Sequence, residues 1–287
     1  MKRPITRSLV FGLLAGMAGG GATAGGVLLG FGTFESAWPV FVTCGILAAL
    51  LHNTRQSILG MVDNRTHTLS NRIDRIRRDV GDIHGLVRLG PYTGELPLPM
   101  GGGWALTGDS AALLAREALA RKPETVLELG SGASTLILGQ ILRKNGRGRL
   151  LSIDHDGAWA DETRRHVKLL GLEDIVSVVD APLNKQALGE QMVEWYDIPK
   201  SAIEQLGSID LLLVDGPPQK HGSDVQARYP ALPFLRGSLS KDALVFVDDA
   251  NRDSEKKMVE RWLAEDDRWK PRWFDTVDGV CLLSRGP

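Results

Sequence analysis

The chain contains little cysteine and almost no net charge. Only two cysteines, Cys44 and Cys281, occur among 287 residues, and they lie far apart. This argues against a disulfide framework or a zinc site and favours a reducing compartment. Lysine and arginine total 34 and aspartate and glutamate 35, so the formal net charge is -1 and no nucleic-acid partner is expected. The length suits one α/β domain with additional segments.

Charged residues are also missing from two stretches near the N-terminus. The first runs from Leu9 to Gly32, and the second follows Glu35 and continues to Leu51. The first is long enough to cross a bilayer, which takes roughly 20 residues. We interpret residues 1–53 as a membrane-anchoring helical hairpin with its turn at residues 32–36. Its small residues would let the two helices pack closely, among them the glycines at 12, 16, 20 and 21.

The basic residues around this segment predict its orientation. Cations precede and follow the pair of apolar stretches: Lys2, Arg3, Arg7, Arg55 and Arg65. The positive-inside rule then places both ends, and the rest of the chain, on the cytoplasmic side of the inner membrane. Two alternatives stay open, a signal peptide cleaved after residues 22–24 and a soluble glycine-rich linker.

The next segment, residues 54–90, carries a heptad pattern. Apolar residues follow a 4-3-4-3-4 spacing at Leu69, Ile73, Ile76, Val80, Ile83 and Val87. This pattern predicts a coiled-coil connector that joins copies of the chain into a homo-oligomer. Gly81 and Gly85 should weaken the helix, and Gly90-Pro91 should end it. The alternative is a single amphipathic helix that lies on its own domain or on the membrane surface.

From residue 91 to 287 the pattern alternates between strand and helix. The predicted strands are Thr125–Leu129, Leu150–Asp154, Ile175–Val179, Ile209–Asp215 and Ala243–Val247. The predicted helices are Ser134–Lys144, Ala158–Leu170, Lys185–Trp195, Val225–Leu239 and Arg252–Ala264. Apolar strands without alternation indicate a parallel sheet buried on both faces, and Arg272–Thr276 with Val280–Ser284 predicts a terminal hairpin. The fold class is therefore a Rossmann-like, doubly wound α/β sheet.

The turn after the first of these strands predicts a ligand site. In TVLELGSGAS the strand ends at Glu128, and Gly130 and Gly132 then allow a ligand to lie against the backbone. A dinucleotide fingerprint needs a third glycine where Thr135 stands, and no P-loop lysine follows. The carboxylate of Glu128 suits a ligand with an ammonium group and repels phosphates. Acids also end the next two strands, in SIDHD and SVVDAPL.

These motifs resemble those of class I S-adenosylmethionine-dependent methyltransferases. The resemblance runs from about Gly102 to Arg285 and includes LELGSGAST, SIDHD, DLLLVDGPP and LVFVDDANR. The motifs are most similar to a subgroup that acts on small molecules, partly in surface-polysaccharide and natural-product contexts. The resemblance implies seven strands with a reversed last strand, and S-adenosylmethionine as cofactor. The implied cofactor-binding residues are Glu128, Gly130, Ser131, Gly132, Asp154, His155, Asp180 and Ala181.

Three further carboxylates should meet at the same edge of the sheet. Asp215 follows the fourth strand, and Asp248 and Asp249 follow the fifth, which is its neighbour in this fold at a spacing of roughly 5 Å. Such a cluster would repel itself without a cation, so we predict a Mg²⁺ site with Asp215 as the catalytic residue. The alternative is neutralisation by Lys220, Arg228 or Arg252 without a metal.

The expected function is O-methylation of a small-molecule, glycan or lipid-linked acceptor at the cytoplasmic membrane face. Residues 101–106 are expected to form a flap over the cofactor, and Trp195-Tyr196 with Arg228-Tyr229-Pro230 to line the acceptor pocket. Two other functions fit the same motifs: a non-catalytic S-adenosylmethionine-binding membrane scaffold and a metal-dependent hydroxylase. The clustered acids favour catalysis, because a scaffold gains nothing from them.

Overall fold

The computed structural model describes residues 10, 12–18, 21–22, 25, 37–93, 106–218 and 226–285. Most of the first apolar stretch, the turn at 32–36, the flap at 101–105, and Lys220 lie outside these residues. Within them, no helix combines the length and the apolar character needed to span a membrane. The chain divides into two compact units, Met1–Ile76 and Arg77–Pro287. The predicted boundaries at residues 53 and 90 stay predictions.

In the first unit, the two apolar stretches touch at glycines. A Cβ at Gly12 would lie 2.8 Å from the carbonyl oxygen of Gly45 and 3.0 Å from the Cβ of Ala49. A Cβ at Gly45 would lie 3.0 Å from the carbonyl oxygen of Gly12. The backbones therefore approach as closely as they do because neither glycine has a side chain.

The first long helix, α1, covers Ala37–Thr93. The prediction that Gly90-Pro91 ends it is wrong, because the helix continues through both residues to Thr93. The weakening effect of Gly81 and Gly85 stays a prediction. The helix runs through Gly85 because it packs there within the second unit, to which this part of α1 belongs. A Cβ at Gly85 would collide with the backbone of Gly108, so the missing side chain allows two backbones to cross.

The second unit is an α/β domain. Its strands are β1 (Thr125–Leu129), β2 (Arg149–Asp154), β3 (Val176–Asp180), β4 (Leu183–Leu188), β5 (Gln191–Tyr196), β6 (Ile209–Val214), β7 (Leu239–Val247), β8 (Trp269–Phe274) and β9 (Val280–Arg285). Its helices after α1 are α2 (Gly108–Arg121), α3 (Ala133–Asn145), α4 (Gly157–Leu169), α5 (Lys200–Leu206), α6 (Ala231–Leu235) and α7 (Asp253–Glu265).

Seven strands form one sheet in the order β3-β2-β1-β6-β7-β9-β8, in which only β9 runs antiparallel to its neighbours. The predicted mostly parallel sheet with a terminal hairpin is confirmed. Successive residues of β1 enter different layers, since Val126 packs on one side of the sheet and Leu127 on the other. Both faces are therefore buried, as the unalternated apolar strands predict.

Two predicted helices are wrong. Residues 185–195 belong to the antiparallel hairpin of β4 and β5, whose turn uses Gly189 at φ 61. Within β5, Val193 and Trp195 are more buried than Met192 and Glu194, which is the two-residue period of a strand. The predicted helix 225–239 shrinks to Ala231–Leu235, while α5 was not predicted.

The register of the sheet aligns the ends of four strands. Leu129 pairs with Ile153 of β2 and with Val214 of β6, and Val214 pairs with Val247 of β7. The residues that follow these strands therefore emerge at one edge, where the chain order reverses between β1 and β6. This is the place where open parallel sheets bind ligands.

Candidate active site

A cavity of about 440 Å³ lies at this edge, within the range of small-molecule sites. It is lined by Gly130, Ser131, Asp154, His155, Asp156, Trp159, Tyr196, Asp215, Gly216, Pro218, Arg228, Asp248, Asp249, Arg252 and Asp278. The structure thus brings four of the predicted cofactor residues together with all three predicted metal ligands. Gly132 lines an adjoining cavity of about 310 Å³.

Glycine at position 130 is required by the packing of the strand ends. Gly130 has φ 97, a conformation that side chains rarely adopt, and a Cβ there would lie 3.2 Å from the backbone of Asp215. The chain then turns through Gly132 into α3. The first helical N–H groups have no partner in the helix, so this turn can offer donors to a ligand.

Asp154 holds the glycine turn in place. One carboxylate oxygen, Oδ2, accepts from the backbone N–H of Ser131 at 2.9 Å and from its hydroxyl at 2.8 Å. The other, Oδ1, accepts from the N–H of Asp156 at 3.0 Å and lies 3.4 Å from Nδ1 of His155. Burial opposes ionisation, but these donors outweigh it and lower the pKa of Asp154. A ribose hydroxyl would have to share this carboxylate with Ser131.

Glu128 lies beneath the turn and does not line either cavity. Its Oε2 accepts from the hydroxyls of Thr135 at 2.5 Å and Ser152 at 2.6 Å, and Thr135 accepts from the N–H of Gly132 at 2.9 Å. Burial raises the pKa of Glu128 to about 7 despite these hydrogen bonds. The threonine at the place of a third glycine thus connects the buried acid to the turn. A contact of Glu128 with a ligand ammonium stays a prediction.

The remaining two predicted cofactor residues lie beside the cavity. Asp180 pairs in register with Asp154, and its carboxylate packs against Gly157, where a Cβ would lie 2.8 Å from Oδ2. The N–H of Ala181 donates to the carbonyl oxygen of Asp154 at 2.7 Å. Neither lines the cavity within the described residues, so their contact with an adenine stays a prediction.

The three predicted metal ligands lie close together, and two arginines contact this cluster. Ligand oxygens of Asp215, Asp248 and Asp249 lie within 4.8 Å of one another. The guanidinium of Arg228, only 4% exposed, contacts Asp249 Oδ2 at 2.9 Å and Asp215 Oδ1 at 3.3 Å. Arg252 contacts Asp249 Oδ1 at 2.7 Å. Asp249 adopts φ 60, which aspartate tolerates better than most residues, so the site holds an unusual backbone conformation.

Arg228 also ties the strand ends together. It donates to the carbonyl oxygens of Asp215 at 2.8 Å and Asp248 at 3.2 Å. Burial still dominates the acids, raising the pKa of Asp215 to about 7 and that of Asp248 well above its ordinary value. Oδ1 of Asp248 is buried without a hydrogen-bond partner among the described residues. Asp248 is therefore the carboxylate that the arginines leave least compensated.

Five cavity residues were not predicted as site residues: Asp156, Trp159, Gly216, Pro218 and Asp278. Trp159 is part of α4, and its indole N–H donates to the carbonyl oxygen of Ser131 at 3.1 Å. Its place just after SIDHD was the available signal. Asp278 comes from the β8–β9 turn, more than 120 residues from the glycine turn, and no local pattern marks it.

Comparison with known proteins agrees with this arrangement. Residues 127–250 match the model of a family described as "Methyltransferase domain". The match includes the glycine turn, Asp154, and the acids after β6 and β7. The match supports the prediction of an S-adenosylmethionine-dependent methyltransferase. Among curated protein sequences, none matches the chain.

Several solved structures are similar to the chain. A methyltransferase from Geobacter sulfurreducens is 19% identical, with 61% of this chain and 78% of that one covered and a TM-score of 0.46. An SAH-bound methyltransferase from Podospora anserina is 18% identical, with 71% and 88% covered and a TM-score of 0.49. An O-methyltransferase from Bacillus cereus in complex with SAH is 15% identical, with 75% and 97% covered and a TM-score of 0.49.

Proposed function

We propose that the chain transfers a methyl group from S-adenosylmethionine to a hydroxyl of a small-molecule, glycan or lipid-linked acceptor. The observation that supports this best is one cavity lined both by a glycine turn and by a partly exposed carboxylate, Asp215. A binding scaffold needs only the first of these. A direct displacement needs the second as well, because the acceptor must lose a proton.

The cavity fits the cofactor in size and in its polar groups. Gly132 starts α3, whose N-terminus suits a carboxylate, and Asp154 can accept from hydroxyls if Ser131 shares it. When bound, S-adenosylmethionine supplies an electrophilic methyl group on its sulfonium. Gly130 and Ser131 would orient it against the ends of β1 and β2. The predicted roles of Glu128, His155, Asp180 and Ala181 are part of this proposal.

Asp215 is the general base of the proposal. Its side chain is 15% exposed at the cavity, and its pKa of about 7 matches a group that accepts a proton near neutral pH. The acceptor oxygen would lose its proton to Asp215 and bond to the methyl carbon as the bond between that carbon and the sulfonium sulfur breaks, which leaves S-adenosylhomocysteine. Arg228 keeps the carboxylate oriented, since it contacts both the side chain and the carbonyl oxygen of this residue.

Mg²⁺ is the second part of the proposal, with Asp215, Asp248 and Asp249 as ligands. The unpartnered Oδ1 of Asp248 supports it, because a hard cation would compensate that oxygen. Arg228 and Arg252 already contact both oxygens of Asp249, so Asp249 would have to share them. The ion would lower the pKa of an acceptor hydroxyl.

Methyl release tests the activity and the metal together. The protein is incubated with labelled S-adenosylmethionine and a membrane or glycan extract, with and without EDTA. We expect transfer to an acceptor, loss of transfer with EDTA, and unchanged cofactor affinity by calorimetry. Asp215→Asn should abolish transfer while the cofactor still binds, and Asp161→Asn, an exposed acid on α4, is the matched control. Full activity of metal-free protein in EDTA would overturn the metal, and cofactor binding without transfer would favour the scaffold.

We also propose that residues 1–53 attach the enzyme to the cytoplasmic face of the inner membrane. The two uncharged stretches and their flanking cations support this, as does the exposure of apolar side chains early in α1, such as Ile46, Leu47 and Leu50. A reporter fused after Pro287 should stay inaccessible from outside intact cells. An external signal would contradict the proposed orientation, and recovery of the whole protein without membranes would contradict the attachment.

Self-association through α1 completes the proposal. The heptad residues Leu69, Ile73, Ile76, Val80, Ile83 and Val87 are all exposed, by 48% to 71%. Water-exposed apolar side chains at this spacing are stabilised when a second helix covers them.

A further inference from the structure

The last turns of α1 have two faces with opposite roles. Gly81, Gly85 and Leu89 repeat every four residues and face the α/β domain, where Leu89 is 1% exposed. Asp82 joins them, because its Oδ1 accepts from the N–H of Gly108 at 2.6 Å, at the start of α2. This docked face is made of small, polar and buried residues. It fixes the end of α1 to the domain.

The heptad residues of the same turns lie on the other side of the helix. Val80, Ile83 and Val87 are 48%, 59% and 71% exposed, and a turn of about 100° per residue places them roughly opposite the docked face. A helix lying on its own domain by its apolar face is thereby excluded for these turns. The six heptad residues from Leu69 to Val87, here called the seam, need another partner.

A second copy of the chain fits the seam better than a membrane surface does. Between residues 63 and 84 there are five arginines and four aspartates, so the helix has a cationic excess of only one charge to attract anionic lipid. The seam instead keeps the strict spacing of a coiled coil, in which Leu69, Ile76 and Ile83 occupy d positions and the other three occupy a positions.

The charged residues beside the seam select the direction of the pair. In a parallel pair in register, g residues face e residues five places on, and Arg72 would face Arg77 of the second copy. In an antiparallel pair, g faces g and e faces e. With Ile73 opposite Ile76, Arg72 then faces Asp79, and Asp63 faces His84, each of them twice by symmetry.

We infer that two copies of the chain associate through an antiparallel pairing of the seam, centred between Ile73 and Ile76. This rests on the self-association proposed above and adds its stoichiometry and direction. Within the second unit, the docked face leaves Val80, Ile83 and Val87 exposed, so the α/β domain does not cover these three residues of the seam.

The charge pattern supplies a direct test of direction. The test is Arg72→Asp in the full chain, studied in mild detergent by analytical ultracentrifugation. In the antiparallel pair, each introduced acid would face Asp79 of the other copy. We expect about tenfold weaker dimerisation, the scale of a few exposed charge pairs. The double variant Arg72→Asp/Asp79→Arg restores opposite charges and should restore the dimer. In a parallel pair Arg72→Asp would instead face Arg77 and tighten the dimer, which would overturn the direction.

A core variant separates this from the other possibilities. Ile76→Glu should weaken dimerisation about 100-fold or more, because it buries a charge at the centre of the pair. Met61→Glu, an equally exposed apolar residue outside the seam, should change it by about twofold or less. A monomeric wild-type protein would overturn the self-association itself, and so would an Ile76→Glu variant that loses binding to anionic vesicles but not the dimer. A normal dimer without methyl transfer would leave this inference standing and sink the proposed activity.

Discussion

The two ends of the sheet edge beside the cavity hold their carboxylates by different means. At the ends of β1 and β2, Glu128 and Asp154 accept hydrogen bonds from hydroxyls and backbone N–H groups, and no lysine or arginine contacts them within the described residues. At the ends of β6 and β7, Asp215 and Asp249 pair with Arg228, which is 4% exposed. The first end is a network of hydrogen bonds from neutral donors, and the second is a cluster of ion pairs.

This difference indicates which changes of ligand or side chain each end can accommodate. Neutral donors leave room for a ligand with hydroxyl and amino groups, since hydrogen bonds can be exchanged one at a time. Buried ions cannot be exchanged so freely, because removing one charge leaves its partner uncompensated in a medium of low dielectric constant. A change of Asp154, at the end of β2, should therefore act mainly on ligand affinity, and the loss of Arg228, beside β6 and β7, mainly on stability.

The largest effect is expected from Arg228→Met. Loss of the buried guanidinium leaves Asp215 and Asp249 facing each other, and should lower the free energy of unfolding by about 3–5 kcal/mol. Urea denaturation at pH 7 measures this. Arg252→Met is the matched control, because Arg252 contacts the same Asp249 but is 48% exposed, and it should cost less than about 1 kcal/mol. Equal, small losses for both variants would break the comparison.

Glu128→Gln should change how stability depends on pH. The pKa of Glu128 rises on folding from 4.5 to about 7, so its contribution is present below pH 4.5 and is lost as the pH rises through about 7. The wild-type protein should therefore lose about 3 kcal/mol more than Glu128→Gln over this window, measured by urea denaturation. Glu204→Gln, an exposed acid on α5, should follow the wild type. Parallel pH profiles for wild type and Glu128→Gln would show that the buried acid is ionised throughout.

Asp154→Ala gives the smallest expected effect, and on affinity rather than stability. The variant removes the carboxylate that accepts hydrogen bonds from Ser131 and that would accept them from the ligand. S-adenosylmethionine should therefore bind about 1.5–3 kcal/mol more weakly. Calorimetry on the folded variant measures this, with Asp161→Ala as the surface control. Unchanged affinity would end the assignment of this end of the cavity to the cofactor.

The sheet could be predicted because its signals are local. Each of the first five strands of the sheet in chain order has an acid as its last residue or directly beside it, and Thr125–Leu129 has the same bounds in the prediction and the structure. The β4–β5 hairpin could not be predicted in the same way. Its exposed residues, such as Lys185 and Glu194, break the apolar pattern, and what decides its conformation is the burial of Trp195 and Tyr196 against distant parts of the chain.

The site could be predicted in part, as the fold could. Residues that follow strand ends were found, because topology alone gathers them at one edge. The pairing of Arg228 with two acids was only one of several alternatives, since its contacts span 13 and 21 residues. The buried position of Glu128 depends on hydroxyls from two other elements, which no single motif contains.

The docking of α1 also decides where this protein can be divided. The first N–H of helix α2 donates to the carboxylate of Asp82, which lies 26 residues upstream in α1. Leu89, also in α1, is buried in the α/β core. A fragment that starts at residue 91 would lack both, while one that starts at Arg77 would keep them. The natural boundary of the α/β domain is therefore a point inside a helix. A recombination event that separates the domain from the last turns of α1 would remove part of the domain itself.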